Sequence, residues 1–337
     1  MAGPAAGTLL WLPALLALAS GFGTVSPLAA QPAPELPLLA SVAPDLTVPA
    51  MEEGEPAAGK RVRWVTPGWE GTQVHCALWL PADWQPGRSL PVMVELPGNG
   101  GYQNKLGDVC DGSVEGCNLG YGLSGGKGVI WVCAPFVEVA GDTGEKRNAL
   151  KWWGDVEESK RHLKALVREV CQRWGGDADR VLLGGFSRGS IGSLFFGLHD
   201  DTIAPLWKGF FCHSHFDGAL EHWPYPGARR QAALSRLRRL QGRPVWISHE
   251  ESTAAAERWL AAAGVAGRWL FTPIPFCNHS DAWVLRPIDE RERARAWLAS
   301  VLELNPKKVD VFSRIEDFLL LDDLPLEPKN GQSSAVR

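Results

Sequence analysis

Among its seven cysteines the chain has no C-x-x-C pair, it carries no internal repeat, and it has no cluster of Lys and Arg interleaved with aromatic residues. The first absence argues against a structural zinc site, which commonly draws on such pairs. The last, with a formal net charge of −4, leaves no basic field for a phosphate backbone and excludes nucleic acid as a partner. Arg229 to Arg239 is the one basic stretch. There Ala232, Ala233, Leu234, Leu237 and Leu240 supply a buried side, so the arginines read as a solvated helix face. Long apolar runs are missing too. Leu9 to Leu18 is too short to span a bilayer and is broken by Pro13.

That run is followed by small residues at Ala17-Leu18-Ala19 and Leu28-Ala29-Ala30, which reads as a signal peptide over residues 1–30, although no Lys or Arg precedes it. With no cysteine near those sites and no twin arginine, no stable membrane anchor is expected. The expected location is secreted or periplasmic. Residues 31–59 shift to Pro, Ala and Glu, which predicts a disordered linker. Residues 305–337 end polar and are expected to be a tail. The 45% hydrophobic content lets residues 60–304 form one catalytic-sized core, since such a domain commonly uses about 250 residues.

Export would favour cystine, and the odd count leaves at least one thiol free. Cys110 and Cys117 bracket a short loop and are the expected disulfide, with Cys212 and Cys277 as a second possibility. Cys76, Cys133 and Cys171 read as small buried hydrophobes.

Helix and strand signals alternate along 60–304. Arg61 to Thr66 and Gln73 to Leu80 predict a hairpin, and Pro91 to Leu96 a strand that ends in Pro97-Gly98-Asn99-Gly100-Gly101. A long Gly-rich loop (101–127) precedes the strand at Gly128 to Pro135. Asp155 to Trp174 repeats Leu163, Leu166, Val167 and Val170 at helical steps, with Asp155 as N-cap and Gly175-Gly176 as stop. Val181-Leu182-Leu183 then leads into Gly185-Phe186-Ser187-Arg188-Gly189 and a second helix. Further strands are predicted at Trp207 to Cys212, Pro244 to Ser248 and Arg268 to Thr272, with helices from Thr253 to Ala263 and Asp289 to Leu302.

The stretch "DADRVLLGGFSRGS", a strand-turn-helix with serine at its apex, resembles the nucleophile elbow of the α/β-hydrolase family, particularly its secreted esterase branch. The order of elements extends the resemblance over roughly residues 60 to 304. It implies an α/β-hydrolase fold, a mostly parallel twisted sheet with helices on both faces, and a serine carboxylesterase working through an acyl-enzyme without a cofactor. In it Ser187 is the nucleophile and His279, on the loop after the last strand, the base. Asn99, Gly100 and the Arg188 N–H match the oxyanion segment, whose glycines let backbone N–H groups approach a developing charge.

The acid departs from the family pattern, because His249-Glu250-Glu251-Ser252-Thr253 holds no aspartate. Glu250 and, from the preceding strand end, Asp217 are the alternatives, with Glu251 behind them. The Arg188 side chain, beside the nucleophile, suits a substrate carboxylate, and a Ser-Arg elbow is similar to that of glucuronoyl esterases, whose remaining motif is absent. Sixteen tryptophans offer stacking surfaces, with Trp152, Trp153, Trp223 and Trp283 expected on cleft loops. These signs point to a polar small-molecule or polysaccharide-linked ester as substrate. Two other readings stay open: an inactive hydrolase-fold binding protein, and a metal-dependent hydrolase using His213, His215 and Asp217. The preferred reading holds no metal.

Overall fold

The computed structural model describes residues 36–304. The expected signal peptide and C-terminal tail lie outside the described residues. Twelve strands and six α-helices follow one another as β1 (Lys60–Trp64), β2 (Cys76–Leu80), β3 (Leu90–Leu96), β4 (Tyr102–Gln103), β5 (Val109–Cys110), α1 (Leu119–Ser124), β6 (Ile130–Cys133), β7 (Phe136–Val139), β8 (Lys146–Ala149), α2 (Val156–Trp174), β9 (Gly176–Phe186), α3 (Arg188–Gly197), β10 (Gly209–His213), α4 (Arg230–Leu237), β11 (Pro244–Glu250), α5 (Ala254–Ala263), β12 (Arg268–Ile274) and α6 (Asp289–Val301). Eight strands form one sheet in the order β1-β2-β6-β3-β9-β10-β11-β12. Only β2 runs against its neighbours; from β6 to β12 the pairing is parallel.

Parallel strands covered on both faces must be apolar on both faces, and here they are. Val92, Val94, Leu183, Phe210 and Ile247 enter the core shared with α2, α3, α4 and α5. The residues between them, Met93, Leu182, Phe211 and Trp246, enter the opposite core with α1 and α6. The alternation has period two because successive side chains point to opposite faces. Helix α2 begins where Asp155 accepts the Glu158 N–H at 2.8 Å and ends at Gly175, whose φ of +73° is left-handed.

Three expectations change. The loop at 101–127 holds the β4–β5 hairpin and α1, because buried Glu95 on β3 gathers the N–H groups of Asn118, Leu119 and Gly120 at 2.9–3.2 Å, with the Trp131 indole at 2.7 Å. A carboxylate there satisfies the free N–H groups of a helix start. The Pro-rich stretch expected as linker is packed against the domain from residue 36, with Leu39 buried and Asp45 paired with Arg291. Its proline and alanine content signalled low hydrophobicity, but backbone hydrogen bonds together with Leu39, Val42, Val48 and Met51 dock it.

The cysteines are the third correction, for all seven are free thiols. Cys110 on β5 packs under the Gly98 turn, whereas Cys117, ahead of α1, is drawn inward to Cys133 and Glu95, within 4.8 Å. Cys212 is buried in β10, and the Cys277 thiol donates to Pro37 O.

Candidate active site

Ser187 sits between β9 and α3 with φ +54° and ψ −116°, a conformation that costs a non-glycine residue energy. The two flanking glycines make the turn possible. A Cβ on Gly185 would lie 2.4 Å from the Gly189 carbonyl carbon, and one on Gly189 only 1.9 Å from Leu96 O. Strand and helix approach too closely there for any side chain. The Ser187 hydroxyl is thereby held out, 3.1 Å from His279 Nε2. His279 comes from the loop between β12 and α6, and its main-chain N–H donates to Asp108 Oδ2 at 2.9 Å.

On the far side of the imidazole stands Glu250, at the end of β11. His279 Nδ1 is 3.1 Å from Glu250 Oε1, yet that oxygen accepts no aligned hydrogen bond. The aligned contact is Ser214 Oγ, 2.9 Å from Nδ1, whose hydroxyl donates to Glu250 Oε2 at 2.9 Å. Ser214 therefore accepts the Nδ1 proton and passes the dipole on, while the carboxylate acts on the ring through charge. Ser214 carries φ +81° and is fully buried, so this placement is imposed by its surroundings. Nothing in the sequence marked it beyond its place between two histidines.

Burial opposes the charge on Glu250, but His279 and the neighbouring imidazoles of His213 and His249 outweigh it and hold the carboxyl well below its usual range. Asp217, the other acid considered, is elsewhere occupied. Arg236 grips it at 2.8 and 3.0 Å and the Tyr225 hydroxyl donates to it at 2.9 Å, so its charge is spent inside the domain. His213 is buried, receives the Trp283 indole N–H at 3.0 Å and contacts Ser248 Oγ at 3.0 Å; burial pushes it down to about 4. His213, His215 and Asp217 do not converge on a common point among the described residues, and the metal reading built on them is withdrawn.

For a developing oxyanion the N–H of Arg188 opens α3, where no preceding turn supplies an acceptor. Asn99 lines the same cleft, its side-chain oxygen taking the Trp152 N–H at 2.8 Å. Gly100 is a correction: its N–H is used on Leu150 O at 2.7 Å, and its missing Cβ makes room for the Asp111 and Leu150 carbonyls.

The Arg188 side chain is the larger correction. It is 1% exposed and donates to the carbonyls of Pro97, Ala149, Trp152 and Gly112 at 2.8–3.3 Å, lying over Phe136. Burial pushes it down to about 9. The guanidinium thus clamps the loops that frame the cleft, its N–H groups committed to main-chain carbonyls. Arg188→Ala is expected to lower kcat/KM by about 10- to 100-fold on neutral and acidic esters alike, because the turn at Pro97 beside Ser187 loses its tie. Steady-state assays on a matched ester pair check this; a loss confined to the acidic ester would restore a substrate role.

The cleft over Ser187 has a volume of about 230 Å³ and is walled by Tyr102, Trp152, Ile191, His215 and Trp223. His215 is held down to about 3 by burial, reinforced by His279 and His249, so it presents a neutral ring. A second cavity of about 280 Å³, lined by Glu95, Cys110, Asn118 and Asp281, shares His279 but does not include Ser187. Trp153 and Trp283, expected at the cleft, are core residues. Trp153 stacks on Phe195 at 5.2 Å and Trp283 is fully buried against His213.

No protein-family model matches the sequence, and no curated protein matches it. Solved structures do. The apo form of Thermogutta terrifontis esterase 2 superposes with a TM-score of 0.50 at 16% identity, over 73% of this chain and 95% of that one. A fungal esterase structure from Rhizomucor miehei gives 0.49 at 15% identity, over 73% and 83%. No helix among the described residues is long and apolar enough to cross a membrane. Counted by occurrence within the eight-stranded sheet, the strands run first, second, fourth, third and then fifth to eighth, with the serine turn after the fifth. The chain has the α/β-hydrolase fold.

Proposed function

We propose that the protein is a serine carboxylesterase that hydrolyses its substrate through an acyl-enzyme. The observation that carries this is the continuous chain from Ser187 Oγ to His279 Nε2 at 3.1 Å and from Nδ1 to Ser214 and Glu250. Serine is a weak nucleophile until a neutral imidazole takes its proton, and the nearby carboxylate stabilises the imidazolium that results. In this reading Ser187 attacks the ester carbonyl, and the N–H groups of Asn99 and Arg188 receive the oxyanion. His279 then protonates the departing alcohol and later activates water to release the acid.

For the substrate we propose a polar, carbohydrate-linked ester. The support is the pairing of flat aromatic walls, Trp152, Trp223 and Tyr102, with the polar, uncharged ring of His215 beside the nucleophile. The preference for a substrate carboxylate falls with the Arg188 side-chain assignment. Export remains part of the proposal, resting on the apolar run Leu9 to Leu18.

Rapid mixing with a p-nitrophenyl ester tests the mechanism. The expected result is a burst of about one nitrophenol per chain that survives a metal chelator. No burst and no turnover would mean an inactive scaffold. A matched pair of acetate esters, one of a sugar and one of a simple alkyl alcohol, tests the substrate: equal kcat/KM would remove the carbohydrate part.

A further inference from the structure

Residues 36–46 run across the segment that carries His279, and the contacts are specific. Pro37 O accepts the Cys277 N–H at 3.2 Å, and the Arg286 Nε donates to Leu39 O and Val42 O at 3.0 and 2.9 Å. The N–H groups of Asp45 and Leu46 both reach Leu285 O. The contact nearest the site is the Leu39 N–H on Asn278 Oδ1, at 2.6 Å. From there the chain of bonds is continuous. Asn278 Nδ2 donates to Asp108 Oδ1 at 2.7 Å, and Asp108 Oδ2 accepts the His279 N–H at 2.9 Å. Asn278 and Asp108 are 8% and 9% exposed, and Asn104 Nδ2 adds a further bond to Asp108 at 2.8 Å.

We infer that Asn278 is a positioning residue through which the N-terminal strap, via the Leu39 N–H, sets the place of His279 relative to Ser187. The Asn278 side chain hydrogen-bonds to Leu39 N and Asp108 Oδ1. Among the described residues its amide is the only side chain that hydrogen-bonds the strap on one side and Asp108 on the other, and a buried amide with both ends occupied has one orientation. Since His279 stands on a loop and not on a strand or helix, its main chain is placed by such ties, while Tyr102 and Phe186 pack against its ring at 4.8 and 4.7 Å. This rests on His279 acting as the base, as proposed above.

Asn278→Ala is expected to lower kcat by roughly 10- to 100-fold with KM changed by less than about twofold, since small misplacements of a reacting group cost that much. The Ser187 inactivation rate with a fluorophosphonate should fall in step. Should Asn278→Ala fail to fold, Leu39 provides an independent handle. It is the first residue of a 3-10 turn and follows Leu38 at φ −71° and ψ 144°, where proline fits. Leu39→Pro deletes the N–H donor, while Leu39→Ala removes the side chain and keeps it. Leu39→Pro should lower kcat by about tenfold more than Leu39→Ala, and that excess should vanish in an Asn278→Ala background.

Equal kcat for the two Leu39 variants, a folded Asn278→Ala with normal kcat, or multiplying losses in the double variant would each overturn the inference. These outcomes are read against a wild type that shows the acyl-enzyme burst. Absence of both burst and turnover in wild type would instead overturn the proposed function.

Discussion

Ser187→Ala is expected to lower kcat by about 10³-fold or more and to abolish fluorophosphonate labelling, with the protein folded as before. The strain at Ser187 gives the reason for expecting normal folding. Its backbone angles are set by the contact of β9 with α3 and by the Ser187 N–H on His213 O at 3.0 Å, neither of which uses the hydroxyl. What the substitution removes is the one atom within reach of His279 Nε2 that can become covalently bonded to an acyl group. Peptide mapping of the labelled wild type should place the phosphonate on Ser187. A folded Ser187→Ala enzyme with ordinary esterase rates, or a label on another residue, would reject the acyl-enzyme mechanism.

Glu250→Gln is expected to lower kcat by about 10⁴-fold, the loss seen when a triad carboxylate is replaced by its amide. Glutamine could still accept the Ser214 hydroxyl, so the loss would isolate the electrostatic part of the arrangement. Asp217→Asn supplies the contrast. It leaves Arg236 without its counter-ion and should destabilise the fold by about 3 to 5 kcal/mol, while kcat of the folded enzyme stays near normal. Thermal melts and kcat on the two variants separate these effects, and the reverse pattern would reassign the acid. The pH dependence follows in sign. A carboxyl lowered in the folded state adds stability above its ordinary value of 4.5, and that is lost as the pH falls below it. Glu250→Gln should flatten this acid-side loss.

Most of the scaffold was legible because it rests on local rules. Val181 to Leu183, Phe210 to Cys212 and Val245 to Ile247 are short apolar runs bounded by glycine, proline or charge, and such runs become buried parallel strands. The cap at Asp155, the stop at Gly175 and the two glycines about Ser187 are each required by a backbone geometry that few residues satisfy. The misreadings share a cause. Arg188, Trp153 and Trp283 are large side chains adjacent in sequence to functional loops, and adjacency does not say which way a side chain points. Each turns inward, Arg188 because four carbonyls from three loops meet there and leave its donors no other partner. Ser214 and Asn278 were invisible for the opposite reason, being small polar residues whose partners lie 36 to 239 positions away in the chain.

By itself the sequence determined the order of the eight strands of the main sheet, the strained serine turn and the presence of a histidine after the last strand, since each follows from spacing and backbone stereochemistry within a few residues. The tertiary structure alone decided which carboxylate faces His279, that the Gly100 N–H is engaged in the turn after β3, and that residues 36–46 belong to the domain. Those are outcomes of long-range competition for partners: Arg236 took Asp217, Leu150 took the Gly100 N–H, and Asn278 took the strap. A buried polar group goes to whichever partner the packed chain brings within about 3 Å, and that proximity exists only after the elements have assembled.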